Sequence, residues 1–449
     1  MFSASGCDNF SKENIFLEED YYSFMTQEEM RQRRFVKKLD EYDSERSVCF
    51  LDESGFKHLY IFAMPIRYLD LSNLQTITID DRITNNMGED GETYPYKTAQ
   101  SDMPAKFPKK LSAETGILIE NNERSIEFCP LEKDKRVTGK YKERENLIDS
   151  KKNMIVYEYG EFDFFSYPTL TGTENEVVFG GEPEKYSYEF MLKTDKLKPV
   201  MTKSGYILLM DENSKNTPDN ENISGIIQIP VLRDSNKEDP KVSMNNVLRL
   251  KKAESGQYIV TVGLDRDFLK NADLQYPVRF NLPVEFKRGN QPDTQVYSYW
   301  PDKNMYLTNC YSLGYDTTLG IGKTYIRFDI GDGLYINPRN IESVKYITYS
   351  LNRADADIKL NEVLEWWCSV RTTWKTKVET GDTVSSVKAG GAGKKAFDIT
   401  EIAADWYEDE TYELESYGLM IFSDSQTGSI LMLSNDNALY NVRTEIIFR

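Results

Sequence analysis

Only one histidine, His58, occurs among the 449 residues, and that count alone removes whole reaction classes. Ser-His-Asp and Cys-His hydrolysis need an imidazole to shuttle a proton beside the nucleophile, and a multi-histidine zinc site needs more than one ring. His58 lies in the alternating run Phe56-Lys57-His58-Leu59-Tyr60 and reads as an ordinary strand residue. Gly320-Ile321-Gly322-Lys323-Thr324 has residue types of a phosphate loop, but Thr317 stands where an earlier glycine is required. A strand, not the helix whose N-terminus would hold phosphate, is expected to follow. Gly390-Gly391-Ala392-Gly393-Lys394-Lys395 lacks both the spacing and the Ser or Thr, so both sets read as hairpin or loop glycines.

Carboxylates and aromatic rings are the remaining chemistry. Glycoside hydrolysis needs two acids at one of two fixed separations, but with 73 acidic residues proximity in sequence decides nothing. Asp80-Asp81 and Asp355/Asp357 read as solvated turns. Asp355-x-Asp357 also lacks the glycine and terminal Glu of a calcium-binding EF-hand loop. Asp302, Asn304, Asp316 and Asp332 fall in loops, where a β-sandwich can hold a structural calcium through Asp side chains and carbonyls; no other cofactor is expected. All five tryptophans, Trp300, Trp366, Trp367, Trp374 and Trp406, follow residue 295. Indole and phenol rings stack on the apolar C–H faces of sugars while neighbouring polar groups take the hydroxyls. The candidate ligand platform is Trp300, Trp366, Trp367, Tyr311 and Tyr315. For each of them simple packing, or a protein interface, is the competing reading. Trp366 and Trp367, if in a strand, face opposite sides, and Pro301 puts Trp300 near an edge. Trp374 and Trp406 are expected in the core.

The elements that must position these residues are strands. Tyr186, Tyr188, Phe190 and Leu192 alternate with polar residues, as do Tyr258, Val260, Val262 and Leu264, and then Ile326, Phe328 and Ile330. Period-2 alternation puts one face on a core and the other in water, as in antiparallel sheets. Turn clusters at Asp52-Glu53-Ser54-Gly55, Asp211-Glu212-Asn213, Glu254-Ser255-Gly256 and Gly331-Asp332-Gly333 punctuate the runs. Three short helices are expected: one capped by Thr26 with Glu29 reciprocating, one turn capped by Asp265, and Thr400 to Trp406 with Ile402, Ala403 and Trp406 on one face. The fold class is therefore all-β, in tandem antiparallel β-sandwiches. The expected divisions are an N-terminal extension 1–25, sandwich segments 26–145 and 146–288, a linker 289–295 and a last domain 296–449. Asn213 to Asn222 reads as a polar hairpin tip.

Composition sets the outer limits. A net charge of -18, from 55 basic and 73 acidic residues, opposes binding to nucleic acid, where clustered Lys and Arg must displace counterions. No apolar run approaches the roughly 20 residues of a membrane helix, and Met1 to Asp20 lacks the basic start and apolar stretch of a secretory signal. Cys7, Cys49, Cys129, Cys310 and Cys368 are odd in number and scattered, which suits small buried hydrophobes better than disulfides or zinc ligands.

One ordered series carries a family resemblance. It runs Tyr325-Ile326-Arg327-Phe328-Asp329-Ile330, Trp374, Phe397-Asp398-Ile399-Thr400, Trp406-Tyr407 and Tyr417-Gly418-Leu419-Met420-Ile421. The series resembles the DNRLRE domain, a β-sandwich grouped with carbohydrate-binding modules and found in secreted bacterial proteins, and the resemblance implies a C-terminal jelly-roll domain. Where that family's opening strand carries an Asp before an aromatic or Ile pair, this chain has Val296-Tyr297-Ser298-Tyr299, so no ligand or ion role is carried over there. Upstream, Arg34-Phe35, Pro65-Ile66-Arg67-Tyr68, Tyr157-Glu158-Tyr159, Gly205 to Met210 and Tyr276-Pro277-Val278 are similar in order to the region preceding the repeats of wall-associated Rhs/YD-repeat proteins. No Tyr-Asp repeat array or toxin tail follows, so no toxin activity is implied. The resemblances imply a non-catalytic bacterial protein, extracellular or at the cell surface, with polysaccharide or protein partners and no membrane insertion. The alternatives are a structural component of an extracellular particle, filament or toxin-delivery apparatus, and a polysaccharide-acting enzyme.

Overall fold

A computed structural model describes residue 25 and residues 27–70, 73–132, 135–145, 151–213, 223–236, 238–288, 291–327, 336–407, 416–437 and 442–449. Thr26, Cys7, Asp332, the Gly331-Asp332-Gly333 turn, residues 328–330 of the Arg-Phe-Asp run and most of the 213–222 hairpin tip lie outside those residues. The chain is all-β, and its strand ladders are antiparallel throughout the described residues. Helices are short: Gln27–Gln32, Arg266–Leu269 and Thr400–Tyr407. The Asp265 carboxylate caps the second by accepting from the amides of Asp267 and Phe268, and the third buries Ile402, Ala403 and Trp406.

Residues 80–286 build one sandwich. Its eight-stranded sheet runs, edge to edge, through Val247–Glu254, Gln257–Gly263, Ser187–Asp195, Arg124–Pro130, Ile117–Asn121, Ala105–Phe107, Tyr96–Gln100 and Asp80–Asn85. A twelve-stranded sheet centred on Gly172–Phe179 covers it. The alternation explains the pairing. Tyr188, Phe190 and Leu192 point inward against Val260, Val262 and Phe128, while Ser187 and Glu189 stay exposed. Phe128 and Phe190 stack at 5.1 Å, and Phe190 meets Phe280 of the opposing sheet edge-on at 6.4 Å. Each such ring contributes on the order of 2 to 3 kcal/mol by leaving water.

Sheet pairing runs across the expected segment boundaries. Val137–Glu145 and Lys151–Glu158 form one hairpin, Gly139 opposite Tyr157 through Glu145 opposite Lys151, so residues 145 and 146 do not separate two units. A single core joins residues on both sides of that point, from Ile83 to Phe286. Residues 35–62 leave the N-terminal sandwich altogether. Phe35–Lys38, Ser47–Asp52 and Lys57–Phe62 form a meander whose last strand pairs with Arg443–Phe448 near the C-terminus, Lys57 opposite Phe448 through Phe62 opposite Arg443. The expected linker also shrinks, because Asp293–Tyr297 is a fully buried strand and the Gln291 amide donates to Ala63 O.

The C-terminal unit is thus a thirteen-stranded sheet that curls around its own core. Leu59 and Ile61 from the meander pack in that core with Leu313, Ile326, Ile358, Leu360, Ile421 and Ile446. On the other side of the meander, a buried polar seam fastens it to the last strand. Arg33 ion-pairs with Glu445, Tyr60 donates to the same carboxylate at 3.3 Å, and His58 Nε2 meets Asp52 Oδ2 at 3.0 Å. Burial alone would push Glu445 up, but His58, Arg33 and Arg443 around it outweigh that and hold it at about 2. The single histidine therefore belongs to an interstrand network. Cys49, Cys129 and Cys310 are buried free thiols pushed up to about 12 by burial, and Cys368 is a half-buried free thiol.

Candidate functional site

One outer layer of the C-terminal unit gathers rings and lysines on a single face. Its neighbouring strands are Asp293–Tyr297, Gly320–Ile326, Leu419–Ser423 and Ala354–Val363. Alternation assigns Ile326, Ile421, Ile358 and Leu360 to the core and turns Lys323, Phe422, Lys359 and Asn361 outward. Directly opposed residues share a face: Val296 opposes Lys323, Lys323 opposes Phe422, and Phe422 opposes Lys359. The half-buried Phe422 ring lies between two ammonium groups, Lys323 at 5.5 Å and Lys359 at 6.0 Å from its centroid. Tyr315 opposes Ile321 and extends the face; its hydroxyl is 3.1 Å from that of Tyr299, whose ring stands edge-on at 6.3 Å.

Two loops frame this layer. Residues 364–379 cover Tyr325, Val363 and Met420 with Trp367, and the Tyr325 hydroxyl donates to Val378 O. Trp374 stays half-buried with Lys377 4.7 Å above its ring. The Trp300 loop sits beside it: the Lys375 amide donates to Pro301 O, and Lys375 pairs with Asp302 at 2.7 Å. Lys303 stands 3.9 Å over the half-buried Trp300 ring. The Asn304 amide ties the loop down, reaching Thr294 Oγ1, Ser369 O and Thr372 O. Two glycines permit the close layers. A Cβ on Gly322 would strike Ser312 O, and Gly418, at φ 90, has the Ile326 carbonyl where a side chain would begin.

The five expected platform residues separate. Trp300 and Tyr315 lie half-exposed along this layer. Trp366 is 63% exposed on the covering loop. Trp367 is 2% exposed, donating its indole N–H to Tyr417 O at 2.7 Å, and Tyr311 is fully enclosed in the C-terminal core. These last two are packing residues and leave the platform: Tyr311 alternates inward with Leu313, and Trp367 closes over the outer face of the sheet. Trp366 and Trp367 do diverge, but from an irregular segment and not from a strand. Trp374, expected in the core, is only half-buried, because its loop lies on the sheet instead of within it. Reasoning from tryptophans missed Phe422, Lys323, Lys359 and Tyr299. The polar side of the alternation in Gly320–Ile326 was the available signal for Lys323.

The three expected calcium-loop residues that are described, all but Asp332, have partners within the protein. Asp316 caps its own turn through the amides of Thr318 and Leu319, Asp302 pairs with Lys375, and Asn304 holds the loop. Among the described residues no three His, Cys, Asp or Glu side chains converge on a point that could hold a metal ion.

A second polar cluster lies between the two sandwiches. A cavity of about 20 Å³ there is lined by Thr171, Gln228, Glu285, Lys287, Arg288 and Asp436. Burial, with Asp436 nearby, pushes Glu285 up to about 8. Burial likewise raises Glu174, beside Glu285 and Glu176, and Asp293, beside Asp436. Space of this size admits about one water molecule, whereas two-acid glycoside chemistry needs a sugar between its carboxyls.

The Gly320-Ile321-Gly322 run lies in a strand, as a hairpin glycine set would. No helix among the described residues is long and apolar enough to cross a membrane. Compared with known proteins, the chain matches no family model and no curated sequence.

Proposed function

We propose that this chain is a non-catalytic binding protein of a bacterial surface or secretion, holding a glycan or wall polymer on the outer layer of its C-terminal sandwich. The observation that carries this reading is the row of partly open rings, Tyr315, Phe422, Trp374 and Trp300, along one sheet layer and its loops. Flat rings at the rim of a rigid sheet offer stacking surface to pyranose C–H faces without ordering a loop on binding. Asn361, on the same face and hydrogen-bonded to Gly381 O, supplies a polar group of the kind that fixes sugar orientation. The likeness of the Tyr325-to-Ile421 series to the DNRLRE domain supports the same reading. The test is retention of the full chain on a panel of insoluble polysaccharides and cell-wall preparations. Retention that weakens in Phe422→Ala and Trp374→Ala, with unchanged circular dichroism, is expected; a panel on which nothing is retained contradicts the proposal.

A structural role in an assembly is favoured by one feature, the open apolar pair Leu364 and Trp366 on the covering loop, 47% and 63% exposed. Aromatic residues so presented suit protein interfaces.

A further inference from the structure

The rings of this layer share a feature that a neutral ligand would not need: a lysine ammonium stands over each of three. Lys303 lies over Trp300, Lys377 over Trp374, and both Lys323 and Lys359 over Phe422. The chain as a whole carries 73 acidic and 55 basic residues. Lys359 is neutralised by Asp424 and Lys375 by Asp302. Lys303, Lys323 and Lys377 take part in no ion pair among the described residues.

From this geometry we infer that the ligand is an acidic polysaccharide, whose sugar faces stack on the rings and whose carboxylates or sulfates are met by Lys323, Lys377 and Lys303. The inference rests on the proposed glycan-binding role and narrows its ligand. Three arguments support it. First, Lys323 and Lys359 flank the strand of Phe422, one on each side. Strands are spaced about 4.8 Å apart, so the two side chains leave the backbone about 10 Å from each other with a ring between them, Lys359 drawn to Asp424 and Lys323 left open to a ligand. A chain alternating apolar ring faces with fixed anions matches that layout. Second, Lys323 is half-buried, and burial together with the neighbouring Lys377 lowers its pKa. Asp424 pulls the other way but forms no ion pair with Lys323 among the described residues; two ammonium groups held close carry an electrostatic cost, which a bound anion relieves. Third, lysine is a compact point charge and not a bidentate fork, so carboxylate and sulfate are both accommodated.

The test uses the full chain and four soluble probes in equilibrium titrations: a polyuronate, a sulfated glycan, a neutral glucan and a polyglycerol phosphate. Binding of the polyuronate or the sulfated glycan at least about tenfold tighter than the glucan, a difference of about 1.4 kcal/mol, is expected. Which of the two binds identifies the anionic group. Affinity should fall with added salt, as screening shortens the reach of exposed charges. Lys323→Gln and Lys377→Gln should each weaken the acidic glycan several-fold while leaving thermal unfolding unchanged. Phe422→Leu provides a second readout, weakening acidic and neutral probes alike. Glucan binding as tight as that of the acidic probes, insensitive to salt and to Lys323→Gln, overturns this inference and leaves the glycan-binding role standing. Tight binding of polyglycerol phosphate alone, which has no sugar faces to stack, also overturns it. Binding of none of the four sinks both.

Discussion

At the scale of single residues, exposure and charge separate rings that look alike in sequence. Trp366 and Trp367 are adjacent, yet one is open to solvent and the other closes a satellite core against Tyr325 at 5.8 Å. Trp367→Ala should therefore cost about 3 kcal/mol or more through the cavity it leaves, while Trp366→Ala should leave stability within about 0.5 kcal/mol. Urea unfolding of the two variants checks this; equal losses would mean that the loop does not pack as described. Glu445 is a charged group held in place by several partners. Replacing it with Gln leaves Arg33 and Arg443 beside an uncharged amide in a buried seam. Removing one member of such a pair costs about 3 kcal/mol or more, and the same titration measures it. His58, isolated in the sequence and mute there, acquires its role only through Asp52 and Glu445, a carboxylate 387 positions away.

Elements explain what could and could not be read from the chain. The alternations at Tyr188, Phe190 and Leu192 and at Val260, Val262 and Leu264 turn these residues inward because each strand has one wet face. The strand Gly320–Ile326 obeys the rule less simply, since Tyr325 and Ile326 are both buried, one under a loop and one in the core. Covering by a loop leaves no mark on period-2 patterning, so the burial of Tyr325 on the outer face was illegible, although the alternation did mark Lys323 as outward. Pairing between Lys57–Phe62 and Arg443–Phe448 was equally hidden, because apolar alternation says which face a strand buries and nothing about its partner. This pairing sets one acid limb of stability. Glu445 is held at about 2 in the folded chain, below its usual 4.5, so it stabilises above pH 4.5 and that contribution is lost as pH falls through about 2. The seam between sandwiches has the opposite sign. Glu285 sits at about 8, above its usual 4.5, so its contribution is complete below pH 4.5 and is lost as pH rises through about 8. Thermal unfolding midpoints should thus be highest near pH 5 and fall toward pH 8.5, as this group removes up to about 1.4 kcal/mol of unfolding free energy per pH unit. Glu285→Gln should flatten the alkaline limb; a wild-type midpoint constant from pH 5 to 8.5 would contradict the seam's electrostatics.

The whole molecule is a chain that returns to its beginning. The first of its described strands complete the sheet of its last, with the N-terminal sandwich, residues 80–286, inserted between them in sequence. A truncation that begins at residue 63 should leave Arg443–Phe448 as an unpaired edge and uncover Val344 and Ile446. Such edges recruit other chains, so light scattering should find this truncation aggregated while the full chain stays discrete. An intact monomeric truncation would show that the meander is dispensable. For the full chain, the binding role predicts a monomer by size-exclusion chromatography with light scattering, and a large closed oligomer would favour the assembly reading carried by Leu364 and Trp366.

The most direct measurement is hydrogen exchange of the full chain with and without a saturating acidic polysaccharide. The account predicts added protection in residues 320–326, 358–361, 419–423 and 373–377, with no change in residues 171–174 and 284–288 at the seam. Protection confined to the seam, or to the eight-stranded sheet of the N-terminal sandwich, would contradict it.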